Sequence, residues 1–191
     1  LQWVDQNLPG NENNCRAQGG SAITITEINY HPDIALDDGD WIELHNTGNT
    51  SVDVSSWLLR DQSVANLYDF PASSTIPAGG YLVICQDIVK FQNIHPGVTN
   101  FIGPFNWGLQ NSGDEIRLFD ELDMPVLSMT YTDSLPWPKG ADGLGRTLEI
   151  TDPTADITLA ESWFVGCMGG SPGEAYTPCD PPIVVLSLIH I

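Results

Sequence analysis

Asp38-Gly-Asp-Trp-Ile-Glu-Leu-His-Asn-Thr-Gly48 is the stretch that decides how this chain folds. A Gly-containing turn feeds a short alternating strand that ends in an Asn-Thr-Gly corner. Strand side chains point to opposite faces in turn, so Ile42 and Leu44 share one face while Trp41, Glu43 and His45 share the other. That pattern describes a half-buried strand.

The same style recurs outward from this stretch. Upstream, Ile23 and Ile25 alternate with Thr24 and Thr26 until the phase slips and Ile28 and Tyr30 fall on the other face. A bulge near Glu27 accounts for the slip. Downstream, Ser55 to Arg60, Asn66 to Phe70 and Tyr81 to Gln86 read as strands, the last a nearly continuous apolar run suited to a central position. Asp114 to Phe119, the turn through Asp120 and Asp123, and Pro125 to Tyr131 have the spacing of a hairpin. Arg146 to Ile150 and Ser162 to Val165 close the series, and a short helix fits Ile88 to Asn93. Short strands at roughly 8 to 12 residue intervals, punctuated by Gly, Pro and Asn, predict an all-β antiparallel two-sheet sandwich. Prolines lie almost wholly at turns or strand ends, where a missing donor does no harm.

A chain of 191 residues suits one domain with ragged ends and can bury roughly two-thirds of its unfolded surface. The formal net charge is −19, from 25 acidic residues against 6 Lys plus Arg. Such a surface repels phosphate backbones and anionic membranes, and it suits Ca2+, cationic partners or plain solubility. No segment approaches the about 18 unbroken apolar residues of a transmembrane helix. Beginning at Leu1 without a Met, the sequence reads as an internal fragment.

Taken in order, the anchors Trp41-Ile-Glu-Leu44 with Asn46 and Gly48, Trp57-x-Leu59-x-Asp61, Pro77 with Gly79-Gly80, Leu109-x-Asn111-x-Gly113-Asp114, Leu118-x-Asp120, Tyr131 with Trp137-Pro138, Gly143 with Gly145, Leu148, Trp163 and Gly169-Gly-Ser-Pro-Gly173 resemble a lamin tail domain of the kind carried by secreted bacterial proteins. The resemblance runs from about Ile25 to Gly173. It implies an immunoglobulin-like β-sandwich without catalytic apparatus, a binding or tethering module on an exported multidomain protein at the cell surface or outside it. Leu1 to Gly10 is similar to the closing segment of a spore-coat-H (CotH-type) kinase domain, though a stray linker helix gives the same spacing. The organisation expected is therefore the end of a preceding domain over 1–10, a polar linker over 11–21, the sandwich over 22–173 and a linker from 174. The last residues, 186–191, resemble translated adapter sequence and read as non-native.

No nucleophile elbow, phosphate-cradling loop with Lys or His-Glu-x-x-His occurs, so the fragment is read as a non-enzyme. Asp37, Asp38, Asp40 and Glu43 are the candidate Ca2+ ligands, since that ion takes six to eight hard oxygens, although their spacing is not that of an EF-hand. Asp114, Glu115, Asp120 and Asp123 form a weaker group that turn chemistry largely explains. Trp107 and Trp137 fall in loops, where an indole either stacks on a sugar or aromatic partner or tucks over the end of the sandwich. Cys167 and Cys179 flank a Gly/Pro-rich loop that brings them within bonding reach, whereas Cys85 reads as a buried free thiol and Cys15 is unassigned. Two alternatives stand beside the tethering module. One is a Ca2+-dependent carbohydrate-binding accessory of a secreted enzyme, and the other a substrate-recognition appendage of a CotH-type kinase. The expected partner is a protein or envelope component, with a glycan in the second reading and nucleic acid in none.

Overall fold

The computed structural model describes residues 22–179. The expectations for the CotH-type segment, the linker with Cys15, and the apolar tail fall outside those residues. Within them the strands are β1 (Ile23–Asn29), β2 (Trp41–Asn46), β3 (Val52–Asp53), β4 (Leu58–Arg60), β5 (Leu67–Asp69), β6 (Thr75–Ile76), β7 (Tyr81–Cys85), β8 (Phe101–Ile102), β9 (Gly113–Phe119), β10 (Pro125–Thr132), β11 (Arg146–Ile150) and β12 (Trp163–Met168). One α-helix, α1 (Ile88–Ile94), lies between β7 and β8. Its first turn is capped by the Asp87 carboxylate, which accepts from the amides of Val89 and Lys90 at 3.0 Å each.

Six strands form one sheet in the order β12-β11-β1-β2-β7-β8, four form a second in the order β10-β9-β4-β5, and β3 pairs with β6. The pairings are antiparallel except β7 with β8. That exception follows from α1, a crossover that returns the chain in the direction it left. The slip in β1 is a register shift between Ile25 and Glu27. Because of it, Ile23 and Ile25 before the bulge and Ile28 and Tyr30 after it all reach the same core.

That core fills the space between the two sheets. Ile25, Ile28, Ile42, Leu44, Leu82, Ile84 and Leu148 from the larger sheet meet Leu59, Ile116, Leu118, Met129 and Tyr131 from the smaller. Each such side chain contributes about 1.5–3 kcal/mol of burial. The hairpin β9–β10 and the buried Trp57 stand where the alternation places them.

β2 is buried at all six positions, not half-buried. Its second face is covered at one end by α1, where Trp41, Val83, Cys85 and Phe91 make a separate apolar cluster backed by Ile88, Val98 and Phe101. Further along, the loop after β12 covers it. A disulfide joins Cys167 to Cys179, with an S–S distance of 2.04 Å. Residues 174–179, expected as linker, are thereby fastened to the sheet, and Tyr176 packs edge-on against Phe164 at 4.5 Å. Cys85 is a buried free thiol, and burial pushes its pKa far up, which keeps it unreactive.

Candidate functional site

Polar side chains concentrate at two places on the outer face of the larger sheet. The first is the end where the β1–β2 loop meets α1. There Asp38, 2 % exposed, accepts from Asn29 Nδ2 at 2.9 Å and Trp41 Nε1 at 2.8 Å, and its Oδ2 lies 2.9 Å from His95 Nε2. Asp40 accepts from the Leu109 amide at 2.7 Å. Burial pushes the Asp40 carboxyl up to about 7, against the pull of that amide and of His31. Asp37 lies outside this network and forms an exposed ion pair with Lys90 at 2.8 Å. His31 pairs with Asp142 at 2.6 Å.

The second place is a row of glutamates. Glu27 on β1 stands opposite Glu149 on β11 and Glu43 on β2, so three carboxylates lie side by side across adjacent strands. Each is 1 % exposed. Glu27 Oε1 accepts from Thr147 Oγ1 at 2.6 Å and from the Ser171 amide at 3.0 Å. Glu149 accepts from Ser171 Oγ at 3.0 Å and from Thr147 Oγ1 at 3.1 Å. Glu43 accepts from Thr26 Oγ1 at 2.6 Å and from the Gly173 amide at 2.5 Å. Burial first, then the neighbouring carboxylates, raises Glu27 well above its ordinary value. Glu43 is pushed up to about 8, again chiefly by burial. Glu149 moves the same way for the same leading reason. Beside the row lies a cavity of about 290 Å³ walled in part by His45, Tyr81 and Tyr176. Burial lowers His45, whose ring stacks on Tyr81 at 4.3 Å.

The structure places the Ca2+ candidates Asp37, Asp38, Asp40 and Glu43 in separate surroundings. Asp37 faces Lys90, Asp38 holds Asn29 of β1, Trp41 of β2 and His95 after α1, Asp40 holds the Leu109 amide, and Glu43 lies under the loop that follows β12. Their oxygens are spent on protein hydrogens, and among the described residues no group of three or more His, Cys, Asp or Glu is placed to hold a metal ion. Of the weaker group, Asp114 accepts from the amides of Gln62, Gln110 and Glu115, and Asp120 from those of Leu122 and Met124, as turn chemistry requires.

Of the two readings of Trp107 and Trp137, the structure shows the one in which the indole tucks into the sandwich. The two residues are 8 % and 7 % exposed, packed against Phe105 at 4.6 Å and Trp163 at 6.2 Å, so neither offers a face to a ligand. Sequence reasoning missed Glu27 and Glu149. The signal was there: each is a carboxylate in the middle of an apolar strand, Ile25-Thr-Glu-Ile28 and Thr147-Leu-Glu-Ile150. A buried charge in such a place must find donors or protons.

No curated protein matches the chain. The family model described as Lamin Tail Domain matches residues 16–133, which run through β10 and so take in strands of both sheets of the sandwich. With more than half of its length matched and an immunoglobulin-like all-β architecture to go with it, the chain belongs to the lamin tail domain family.

Proposed function

We propose that this is a non-catalytic interaction module of an exported multidomain protein, tethering its neighbouring domains to a protein component of the cell envelope. Membership of the lamin tail domain family supports an interaction module of immunoglobulin type. The Cys167–Cys179 bond supports export, since such bonds persist in oxidising compartments. The observation that carries the choice of surface is an apolar end on an acidic molecule. Ile34 is 94 % exposed and Leu144 60 %. Leu36, Met168 and Asp33 crowd around Gly145 beside them. A patch of this kind rimmed by acids fits a partner that is itself part apolar and part cationic.

The test is binding of the full chain to envelope fractions of its source organism, untreated or digested with protease. Saturable, salt-sensitive binding that protease abolishes and that the double substitution Ile34→Asp, Leu144→Asp weakens at least about tenfold, or about 1.4 kcal/mol, supports the reading. Binding that survives protease and disappears with EDTA points to the carbohydrate module and overturns it.

A further inference from the structure

The glutamate row is held from above by one segment. Ser171 contributes its amide and its hydroxyl, and Gly173 its amide, so the loop from Gly169 to Cys179 is pinned to three strands through the carboxylates of Glu27, Glu149 and Glu43, besides the Gly169 amide on the Gly145 carbonyl and the Tyr176 ring on Phe164. Close approach depends on glycine at two points. A Cβ on Gly170, which has φ +73, would collide with Glu27 Oε1, and one on Gly166 with Glu149 Oε1. The loop separates two hollows, about 290 and 490 Å³, and Tyr81, Ser171 and Glu174 line both. Its far end is tied back to β12 by the disulfide.

The titratable groups lining the hollow beside the row are acidic, phenolic or a histidine, and the guanidinium of Arg146 on β11 donates to the carbonyl of Gly166 at 2.8 Å. Glu27 comes from β1, Glu43 and His45 from β2, Tyr81 from β7, Glu149 from β11, and Glu174 and Tyr176 from the loop itself. From β12 the row meets Gly166. Among the described residues, none of the ion pairs formed by Lys or Arg reaches it. Three carboxylates side by side, none of them ion-paired to a Lys or Arg among the described residues, cannot all be charged in so dry a place, because like charges at this range repel and burial penalises each. The row therefore holds shared protons, and those protons allow neighbouring oxygens to bond to one another instead of repelling.

We propose that the Gly169–Cys179 loop is a pH-operated latch: protons shared by Glu27, Glu149 and Glu43 keep it shut on the sheet, and their loss releases it while the disulfide keeps it attached. The sign follows from the direction of the shifts. All three glutamates sit above their unfolded value of about 4.3, because burial under the loop and within the sheet outweighs the opposite pull of the Ser171 and Gly173 donors, so the folded state with the loop shut binds more protons and is favoured throughout the acid range. That preference decays as pH rises toward the folded values, with Glu43 at about 8 marking the upper part of the window. Tyr81 is raised and stays neutral there. His45, lowered by burial, works in the opposite sense and only toward acid.

Amide hydrogen exchange on the full chain between pH 6 and 9, corrected for intrinsic rates, tests this. The Ser171 and Gly173 amides should lose protection by at least about tenfold across that range while amides of β2 and β9 keep theirs. Glu27→Gln keeps an acceptor for the Ser171 amide and offers a fixed donor toward Glu149, so the fall in Ser171 protection should be clearly smaller than in the wild type, while Gly173, held by Glu43, still loses protection. Should that variant not fold, Glu149→Gln makes the same comparison, and the wild-type profile stands by itself. Wild-type protection that does not fall by pH 9, or a fall at the Ser171 amide that persists unchanged in Glu27→Gln, overturns the proposal.

Discussion

Replacing Trp41 by Ala tests whether the outer face of the larger sheet is a second core. The indole is fully buried, with ring centroids 5.8 Å from Phe91 and 5.9 Å from His95, and its Nε1 donates to Asp38 at 2.8 Å. Truncating a buried Trp to Ala costs about 3–5 kcal/mol. Asp38 also loses one of its three partners, a bond to a charged group worth about 1.5–3 kcal/mol. The two losses overlap in one site, so a total of about 4–6 kcal/mol is expected. In urea, with a slope of about 2 kcal/mol/M for a domain of this size, the midpoint should fall by about 2–3 M. Trp41→Phe separates the parts, because it keeps most of the packing against Phe91 and removes only the indole donor; it should cost about 2–3 kcal/mol. Equilibrium unfolding followed by circular dichroism gives both numbers. A loss under about 1 kcal/mol for Trp41→Ala would place the residue in the range of surface substitutions and rule out a second core on this face of the sheet.

Two further outcomes follow from buried polar groups. Asn46, fully buried at the corner after β2, donates through Nδ2 to the carbonyls of Thr50 at 2.8 Å and of Ile76 and Pro77 at 3.0 Å, and accepts from the Gly48 amide at 3.0 Å. Asn46→Asp has the same shape and no donor, so it should cost about 3 kcal/mol or more at pH 7 and less at pH 4, where a protonated carboxyl regains one hydrogen; melting temperatures at the two pH values check this. Asp40, raised to about 7, contributes stability that is complete below its unfolded value and lost as pH climbs through 7. Asp40→Asn keeps the acceptor for the Leu109 amide, so it should remove about 1 kcal/mol or more of the wild-type loss between pH 5 and 8, as measured by urea unfolding at each pH.

The sandwich was legible because its strands carry period-two patterns and its turns carry Gly, Asn and Pro. Ile42 with Leu44, the slip at Glu27 and the hairpin spacing around Asp120 are local signals, and local signals survive folding. The covering of β2 was not legible. Trp41, Glu43 and His45 have the pattern of a solvent face, and only the return of α1 and of a loop more than a hundred residues away converts that face into an interior. The placement of the carboxylates was hidden for a related reason. Asp37, Asp38, Asp40 and Glu43 are neighbours in sequence, but alternation sends Glu43 along the strand toward Glu27 and Glu149, which come from elsewhere in the chain. Trp107 and Trp137 looked like loop aromatics because their packing partners, Phe105 and Trp163, are set by loop paths that composition does not encode.

The scarcity of Lys and Arg explains what the buried acids do. With 6 basic residues against 25 acidic ones, a carboxylate drawn into the interior has few cations available. The described Lys and Arg ion pairs, Arg60 with Asp123, Lys90 with Asp37 and Arg117 with Glu115, all include a partner with substantial solvent exposure. Several buried carboxylates turn to backbone amides instead, while Asp38 turns to the side chains of Asn29, Trp41 and His95. Asp40 holds Leu109, Asp114 holds Gln62 and Gln110, Glu27 holds Ser171, and Glu43 holds Gly173. In each case the amide belongs to a loop, so each buried acid fixes the path of a segment without secondary structure. Loops fastened in this way respond to protons and little to salt, since a buried hydrogen bond is poorly screened. The exposed pairs behave in the opposite manner. Raising ionic strength at constant pH should therefore weaken contacts made by the acidic surface while leaving the loops in place, and raising pH at constant ionic strength should loosen the loops first.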